Sequence, residues 1–176
     1  MPTNQIQLIR DCIRNVPDFP KPGIQFKDIT PVLSNPAAFD ASIEVLAAPY
    51  KNSNIDLVVG IEARGFIFGT PVARLLGIGF VPIRKPGKLP WKTRSASYEL
   101  EYGSDALEIH ADAVAKGQRV LVVDDLLATG GTARAACDLL EEMGADVVEI
   151  TVLIELESLE GRDKLAPFNA RSVLTF

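Results

Sequence analysis

Three short apolar runs, each rich in β-branched residues, stand out along the chain. They span residues 57–61, 120–123 and 147–154. Such runs are typical of strands that are covered on both faces, as in a parallel sheet. Residues 66–76 and 131–143 carry apolar side chains at helical spacing, and a glycine follows each. The alternation of strand and helix predicts an α/β fold in which helices flank a parallel sheet.

The pattern is less regular in the N-terminal part of the chain. Residues 4–16 and 37–51 show helical periodicity. Between them, the prolines and the glycine of residues 17–23 predict an extended, stiff connection. Residues 80–83 predict another short strand, and Pro82 favours an edge position because proline has no N–H to donate.

The character of the sequence changes at residue 84. Residues 84–96 contain five basic residues, no acidic one, and two prolines and a glycine, which predicts a long mobile loop. The alternation in residues 98–109 predicts two strands around a turn at residues 103–105. The tail, residues 169–176, gives no prediction. Because no repeat or linker is visible, residues 1–176 are predicted to form a single domain.

Composition and charge narrow the class of protein. The 176 residues are 47% hydrophobic and 23% charged, which favours a globular domain over a disordered chain. The formal net charge of −5 argues against a nucleic-acid partner. No apolar run reaches the about 18 residues that span a bilayer, and the N-terminus lacks a secretory pattern. We therefore expect no membrane partner and a cytoplasmic location.

Cysteine and histidine offer little chemistry. Cys12 and Cys137 both lie in segments of helical periodicity, so we expect buried thiols in a reducing compartment. His110, the single histidine, is expected to be structural or exposed. Zinc-binding motifs are absent, and we predict no metal site formed by the protein alone.

The strongest chemical signal spans residues 120–132. A buried strand leads into the adjacent carboxylates of Asp124 and Asp125, then into a turn with paired glycines and two threonines, and then into a helix. Glycines let backbone amides approach an anion, and a helix N-terminus adds unpaired N–H donors. The turn therefore predicts a phosphate site at the carboxyl edge of the sheet.

Two other interpretations of this stretch stay open. In the first, the turn only reverses the chain and caps a helix, and the acids are solvated at a strand end. In the second, the acids bind magnesium in a nucleotide triphosphatase. The sequence contains no G-x-x-x-x-G-K-[ST] motif, which argues against the second.

Residues 122–132 resemble the ribose-phosphate signature of the type I phosphoribosyltransferases. The resemblance implies that fold, with a small hood and a flexible lid loop beside the sheet. It also implies that Asp124 and Asp125 contact the ribose hydroxyls of phosphoribosyl pyrophosphate. The residues implied to hold its 5′-phosphate are Ala128, Thr129, Gly130, Gly131 and Thr132. Carboxylates accept hydrogen bonds from hydroxyls, whereas a phosphate needs donors, so the residue types suit these roles.

One further segment is similar to a segment of the adenine-specific members, and the charge of a second one suits the same substrate. Residues 62–65, Glu-Ala-Arg-Gly, resemble their pyrophosphate loop, which implies that Arg64 stabilises the leaving charge as a catalytic residue. The basic loop suits a lid, and residues 84–103 are expected to form a flexible lid and hairpin that binds phosphate and excludes water. The lid cations assigned to the substrate are Arg84, Lys85 and Lys88.

Residues 96–103 resemble the signature that follows the lid in the adenine-specific members. This implies that Glu101 is a catalytic carboxylate and that Tyr102 contacts substrate. In the hypoxanthine-guanine relatives, an aspartate that handles the purine proton occupies the position of Ala128. The alanine argues against a 6-oxopurine base.

Residues 20–29 resemble the purine-binding segment of the same enzymes. The resemblance implies that Phe26 stacks on adenine, with Leu156 on the opposite face, since an aromatic ring offers about 1–3 kcal/mol of stacking. The backbone around Gln25 and Lys27 would read the edge of the base. Residues 1–35 would then form the base-binding hood.

The resemblance as a whole implies that the chain converts adenine and phosphoribosyl pyrophosphate into AMP and pyrophosphate. It implies Mg²⁺ as the cofactor that accompanies the sugar substrate, and it implies a homodimer. Two alternatives stay open: a 6-oxopurine phosphoribosyltransferase and a non-catalytic regulator that senses phosphoribosyl pyrophosphate. A regulator would need a nucleic-acid-binding module or a basic face, and the sequence shows neither.

Overall fold

The computed structural model describes residues 2–99 and 104–176. In chain order its strands are β1 (Arg14–Pro17), β2 (Gln25–Asp28), β3 (Leu57–Ile61), β4 (Gly79–Ile83), β5 (Thr93–Glu99), β6 (Ser104–His110), β7 (Arg119–Leu127), β8 (Asp146–Glu155) and β9 (Ala170–Thr175). Its α-helices are α1 (Pro2–Cys12), α2 (Thr30–Ser34), α3 (Pro36–Ala47), α4 (Arg64–Leu76), α5 (Gly131–Glu142) and α6 (Gly161–Leu165). Short 3₁₀ helices span Ala48–Tyr50 and Glu157–Leu159.

A parallel sheet forms the centre of the described structure, as predicted. Its five strands have the order β4-β3-β7-β8-β9, and each neighbouring pair is parallel. Strand β4, which contains Pro82, lies at one edge as expected. The pairs β1-β2 and β5-β6 form two separate antiparallel hairpins.

Both faces of the central strands are buried, which explains their apolar composition. Val58 and Val59 are successive residues of β3, so their side chains point to opposite faces. Val58 belongs to a core shared with residues of α1, α3 and α4. Val59 belongs to a second core that includes residues of α5 and β6. The sheet is therefore covered by helices on one face, and by α5 with the β5-β6 hairpin on the other.

Several boundaries differ from the sequence-based prediction. The first helix ends at Cys12, and residues 14–28 form a hairpin rather than an irregular extended connection. Its prolines lie at a strand end and in the turn, where no ladder hydrogen bond is needed. The Gly23 amide closes this turn by donating to the Asp18 carboxylate at 2.7 Å.

Two segments that the sequence analysis left irregular or undefined are strands. Strand β5 begins at Thr93, inside the stretch predicted to be a loop. The tail forms β9, which pairs with β8 at the sheet edge. None of the helices in the described parts of the chain is long and apolar enough to cross a membrane.

Candidate active site

A cavity of about 400 Å³ opens where β3 and β7 end. It collects most of the residues that the sequence analysis assigned to ribose, phosphate and pyrophosphate. The assigned residues that line the cavity are Arg64, Lys85, Asp124, Asp125, Ala128, Thr129, Gly130, Gly131 and Thr132. Segments 62–64 and 124–132 are thus neighbours in space, because they lie at the carboxyl ends of adjacent strands of one parallel sheet.

The two acids lie within β7 rather than beyond its end. The sequence predicted a strand over 120–123, but β7 runs to Leu127, and Asp124 pairs in register with Val152 of β8. The strand extends because β8 continues beside it as far as Glu155. The acidic pair is therefore held by a sheet ladder, and the side chains of Asp124 and Asp125 alternate in direction.

Burial dominates the electrostatics of the pair. The Asp125 residue is only 5% exposed, and its carboxylate pairs with the Arg64 guanidinium at 2.8 Å. Burial raises the pKa of Asp124 well above its ordinary value, and the neighbouring Asp125 adds to the rise. Burial also raises the pKa of Asp125, although Arg64 opposes this effect. Arg64 is thus the cation that favours the ionised form of the acids.

The phosphate turn packs against the backbone at the start of α6. Gly130 has a φ of 80°, the left-handed conformation that glycine adopts readily, and α5 begins at Gly131. A Cβ on Gly130 would lie 2.2 Å from the carbonyl oxygen of Gly161. A Cβ on Gly161 would lie 2.0 Å from the carbonyl oxygen of Ala128. The turn and α6 therefore touch backbone to backbone at two glycines.

The first turn of α4 packs just as closely against the acidic pair. A Cβ on Gly65 would lie 2.9 Å from both Asp124 Oδ1 and the carbonyl oxygen of Val123. This contact explains why a glycine follows Arg64. It allows α4 to begin beside β7, which brings the Arg64 guanidinium within reach of Asp125.

Glu62 gathers the cations at the start of the predicted lid. Its side chain is only 9% exposed and accepts from Arg84 at 3.2 Å, from the Lys85 amide at 3.0 Å and from Lys88. Desolvation alone would raise the pKa of Glu62, but these hydrogen bonds, that from Lys88 foremost, lower it to about 2. Glu62 lines the cavity, so its two ion-pair partners, Arg84 and Lys88, are held beside the cavity.

The residues assigned to the base occupy a different place. Gln25, Phe26, Lys27 and Leu156 are not among the lining residues of this cavity. Phe26 is half-buried in β2 and packs edge-to-face on Phe19 with ring centroids 5.2 Å apart. The Lys27 ammonium lies 4.1 Å from the ring centroid of Phe176, whose carbonyl accepts from the Glu157 amide. The hairpin thereby approaches the segment that contains Leu156.

The sequence-based assignment and the described structure do not cover the same residues. Glu101 and Tyr102 lie outside the described residues. Glu62 and Tyr98 lie within the motifs, but the sequence assigns neither of them a role. For Glu62, its position two residues before Arg64 is a signal that could have found it. Gly161 left no local signal, since its importance depends on a contact with residues far away in the sequence.

Comparison with known proteins agrees with this geometry. The phosphoribosyl transferase domain family matches residues 28–171. The adenine phosphoribosyltransferase of Roseiflexus castenholzii is 59% identical over 168 residues, which cover 96% of this chain and 98% of the relative. The chain belongs to the adenine phosphoribosyltransferase family.

Solved structures of the family superimpose closely on the chain. The adenine phosphoribosyltransferase of Thermoanaerobacter pseudethanolicus has a TM-score of 0.94 and 56% identity, covering 97% of this chain and 99% of its own. The enzyme of Saccharomyces cerevisiae, complexed with an imino-altritol bisphosphate and adenine, has a TM-score of 0.92 and 41% identity. That match covers 98% of this chain and 99% of the yeast chain. The predicted family fold, a parallel sheet flanked by helices, is thereby confirmed, whereas the flexible lid loop stays a prediction.

Proposed function

We propose that the chain transfers the phosphoribosyl group of phosphoribosyl pyrophosphate to N9 of adenine, giving AMP and pyrophosphate in purine salvage. The observation that carries this proposal is the single cavity that unites the phosphate turn, the acidic pair of β7 and Arg64. A sugar that carries phosphate at both ends needs donors at both ends and acceptors between them. Full-length similarity to adenine phosphoribosyltransferases supports adenine as the base.

The lining residues divide the substrate between them. The amides and hydroxyls of residues 128–132 hold the 5′-phosphate at the N-terminus of α5. Asp124 and Asp125 accept hydrogen bonds from the ribose hydroxyls, and Arg64 and Lys85 face the pyrophosphate. As pyrophosphate departs, positive charge develops at the anomeric carbon. The carboxylates beneath the ring and the cations at the leaving group stabilise this charge separation.

The base site is assigned through the family resemblance. Phe26 and Leu156 enclose adenine, the backbone at Gln25 and Lys27 contacts its edge, and Glu101 acts on its proton or on the developing charge. The contact between Lys27 and Phe176 supports a base site that is formed by the N-terminal hairpin and the chain end together. The lid, residues 84–103, closes over the substrates because water would otherwise hydrolyse the activated sugar.

Magnesium fits this cavity as an ion that arrives with the substrate. In the part of the chain that the structure describes, no group of three or more His, Cys, Asp or Glu side chains could hold a metal ion. Mg²⁺ commonly binds one or two carboxylates together with substrate phosphates, and Asp124 and Asp125 are such carboxylates. When bound, it would neutralise charge on the pyrophosphate. We also propose that the chain forms a homodimer and acts in the cytoplasm.

The decisive experiment offers the protein, Mg²⁺ and phosphoribosyl pyrophosphate with adenine, hypoxanthine, guanine or xanthine in turn. We expect AMP from adenine, and little monophosphate from the other bases. Formation of a 6-oxopurine nucleotide instead would assign a different base. If no base causes release of pyrophosphate and the protein binds DNA in a gel-shift assay, the result would support a non-catalytic regulator that senses phosphoribosyl pyrophosphate.

An Asp125→Asn variant tests the ribose assignment in the same assay. The amide keeps the size of the side chain but loses the negative charge and half of its acceptor groups. We expect a loss of kcat/KM for phosphoribosyl pyrophosphate of about 10²-fold, as for other interactions that act on the transition state. Unchanged kinetics would remove Asp125 from the ribose site.

A further inference from the structure

The hydroxyl of Tyr98 has hydrogen-bond partners on three separate segments. It accepts from the Lys85 ammonium at 2.9 Å and from the Thr132 hydroxyl at 3.3 Å, and it donates to Asp105 Oδ2 at 3.2 Å. Lys85 follows β4, Asp105 belongs to β6, and Thr132 lies in the first turn of α5. One side-chain atom thus connects the predicted lid, the hairpin and the phosphate turn.

These contacts use the whole hydrogen-bonding capacity of the hydroxyl. A tyrosine hydroxyl offers one donor and two acceptor positions. The Tyr98 oxygen accepts from the Lys85 ammonium and the Thr132 hydroxyl, and its proton is donated to the Asp105 carboxylate. Asp105 also forms an ion pair with Lys85, so the polar groups of this cluster satisfy one another. A hydroxyl with this many partners fixes their relative positions.

Two of the three partners face the proposed substrate from opposite ends. Lys85 and Thr132 both line the cavity, whereas Tyr98 is not among the lining residues. Under the proposed function, on which this inference rests, Thr132 contacts the 5′-phosphate and Lys85 contacts the pyrophosphate. Tyr98 would then contact a residue at each end of the substrate without itself lining the cavity.

We propose that Tyr98 is a positioning residue that sets the distance between the 5′-phosphate and pyrophosphate subsites. Its ring anchors the hydroxyl in β5, which pairs along its length with β6. Removing the hydroxyl leaves the Lys85–Asp105 ion pair in place, but it disconnects Thr132 from both residues. The lysine can then follow the hairpin independently of the phosphate turn, which weakens simultaneous contact with both ends of the sugar substrate.

The test is a Tyr98→Phe variant, which deletes the hydroxyl and keeps the ring. The hydrogen bond that links Tyr98 to the phosphate turn joins it to the Thr132 hydroxyl and is neutral, and the loss of such a bond changes affinity by about two- to tenfold. We expect KM for phosphoribosyl pyrophosphate to rise within that range, and KM for adenine to stay within about twofold of the unaltered protein. Titration calorimetry with phosphoribosyl pyrophosphate and Mg²⁺ should show the same loss of affinity without turnover.

Tyr50→Phe is the matched control. Tyr50 is 6% exposed, and its hydroxyl donates to Glu149, away from the cavity lining. This variant also loses a tyrosine hydroxyl that is hydrogen-bonded to an acidic side chain, so we expect a lower melting temperature and unchanged values of KM. A Tyr98→Phe protein whose two KM values are unchanged, or shift together, would overturn the proposal.

The calorimetric measurement separates this proposal from the proposed function. If the unaltered protein binds phosphoribosyl pyrophosphate but forms no AMP, the proposed reaction is wrong, while the effect of Tyr98→Phe on affinity still decides the role of Tyr98. If the unaltered protein is active and the variant binds the sugar substrate equally well, the proposed reaction stands and the positioning role is wrong.

Discussion

Replacing Gly161 by alanine tests whether the phosphate turn depends on support from α6. The added Cβ would lie 2.0 Å from the carbonyl oxygen of Ala128 and 3.0 Å from the amide nitrogen of Gly130. Because ordinary van der Waals contact begins near 3.4 Å, the two backbones must separate by about 1.4 Å. Gly161 does not have a positive φ, so the change acts through steric overlap rather than through its own backbone strain.

The expected effect on catalysis follows from this displacement. A shift of about 1 Å in a positioned group reduces rate by about 10²-fold, which corresponds to about 2.7 kcal/mol. Overpacking of this kind also lowers the free energy of unfolding by about 1–3 kcal/mol. For a chain of this size, each kcal/mol lowers the melting temperature by about 2–4 °C. Gly161→Ala should therefore fold but lose most of its kcat/KM for phosphoribosyl pyrophosphate.

The measurement compares AMP formation and thermal unfolding of Gly161→Ala with those of Gly117→Ala. Gly117 has a φ of 81° but no atom within 4 Å of the added Cβ, so that control introduces backbone strain without overlap. We expect the control to lose stability and keep its activity. If Gly161→Ala folds and keeps kcat/KM within threefold, the turn does not depend on this contact, and the reasoning is refuted.

Two further substitutions test the cations and the base. Desolvation would raise the pKa of Glu62, but hydrogen bonds, that from Lys88 foremost, lower this pKa from 4.5 to about 2. The ionised carboxylate therefore contributes its full stabilisation above pH 4.5, and this contribution is lost as the pH falls towards 2. In urea unfolding between these pH values, Glu62→Gln should show a smaller decline than the unaltered protein, and parallel declines would contradict the assignment. Phe26→Ala should raise KM for adenine more than KM for phosphoribosyl pyrophosphate, and the opposite order would place the base elsewhere.

The central strands were predictable because few other structures suit residues of their composition. Continuous runs of β-branched residues fit strands buried on both faces, and β3, β7 and β8 contain those runs, although β7 extends beyond its run to Leu127. Strand β9 mixes Arg171 and Ser172 with apolar residues, and its identity depends on pairing with β8. The β1-β2 hairpin was missed for a similar reason. Its turn is closed by the Asp18 carboxylate, a contact that leaves no periodic pattern.

The candidate site was predictable where it consists of consecutive residues at a strand end. Asp124, Asp125 and the glycine turn form one motif, and the structure keeps them together at one cavity. Contacts that join distant segments were not predictable. Gly161 and Tyr98 contact the turn because α6 and β5 pack against it. Neither contact can be inferred from local sequence.

Under the proposed function, an acidic chain binds a polyanion, and the charges around the cavity determine which groups would contribute to that binding. In the described residues, each cation assigned to the pyrophosphate or to the lid has an acidic partner in the chain. The ion pairs are Arg64–Asp125, Arg84–Glu62, Lys88–Glu62 and Lys85–Asp105. A phosphate group that reaches such a cation replaces a carboxylate, so the net gain in electrostatic free energy is smaller than for an unpaired cation. The amides at the start of α5 carry no formal charge and need no such exchange. Under the proposed function, we therefore expect the turn to select the 5′-phosphate and the paired cations to release pyrophosphate readily, since each carboxylate can recover its partner.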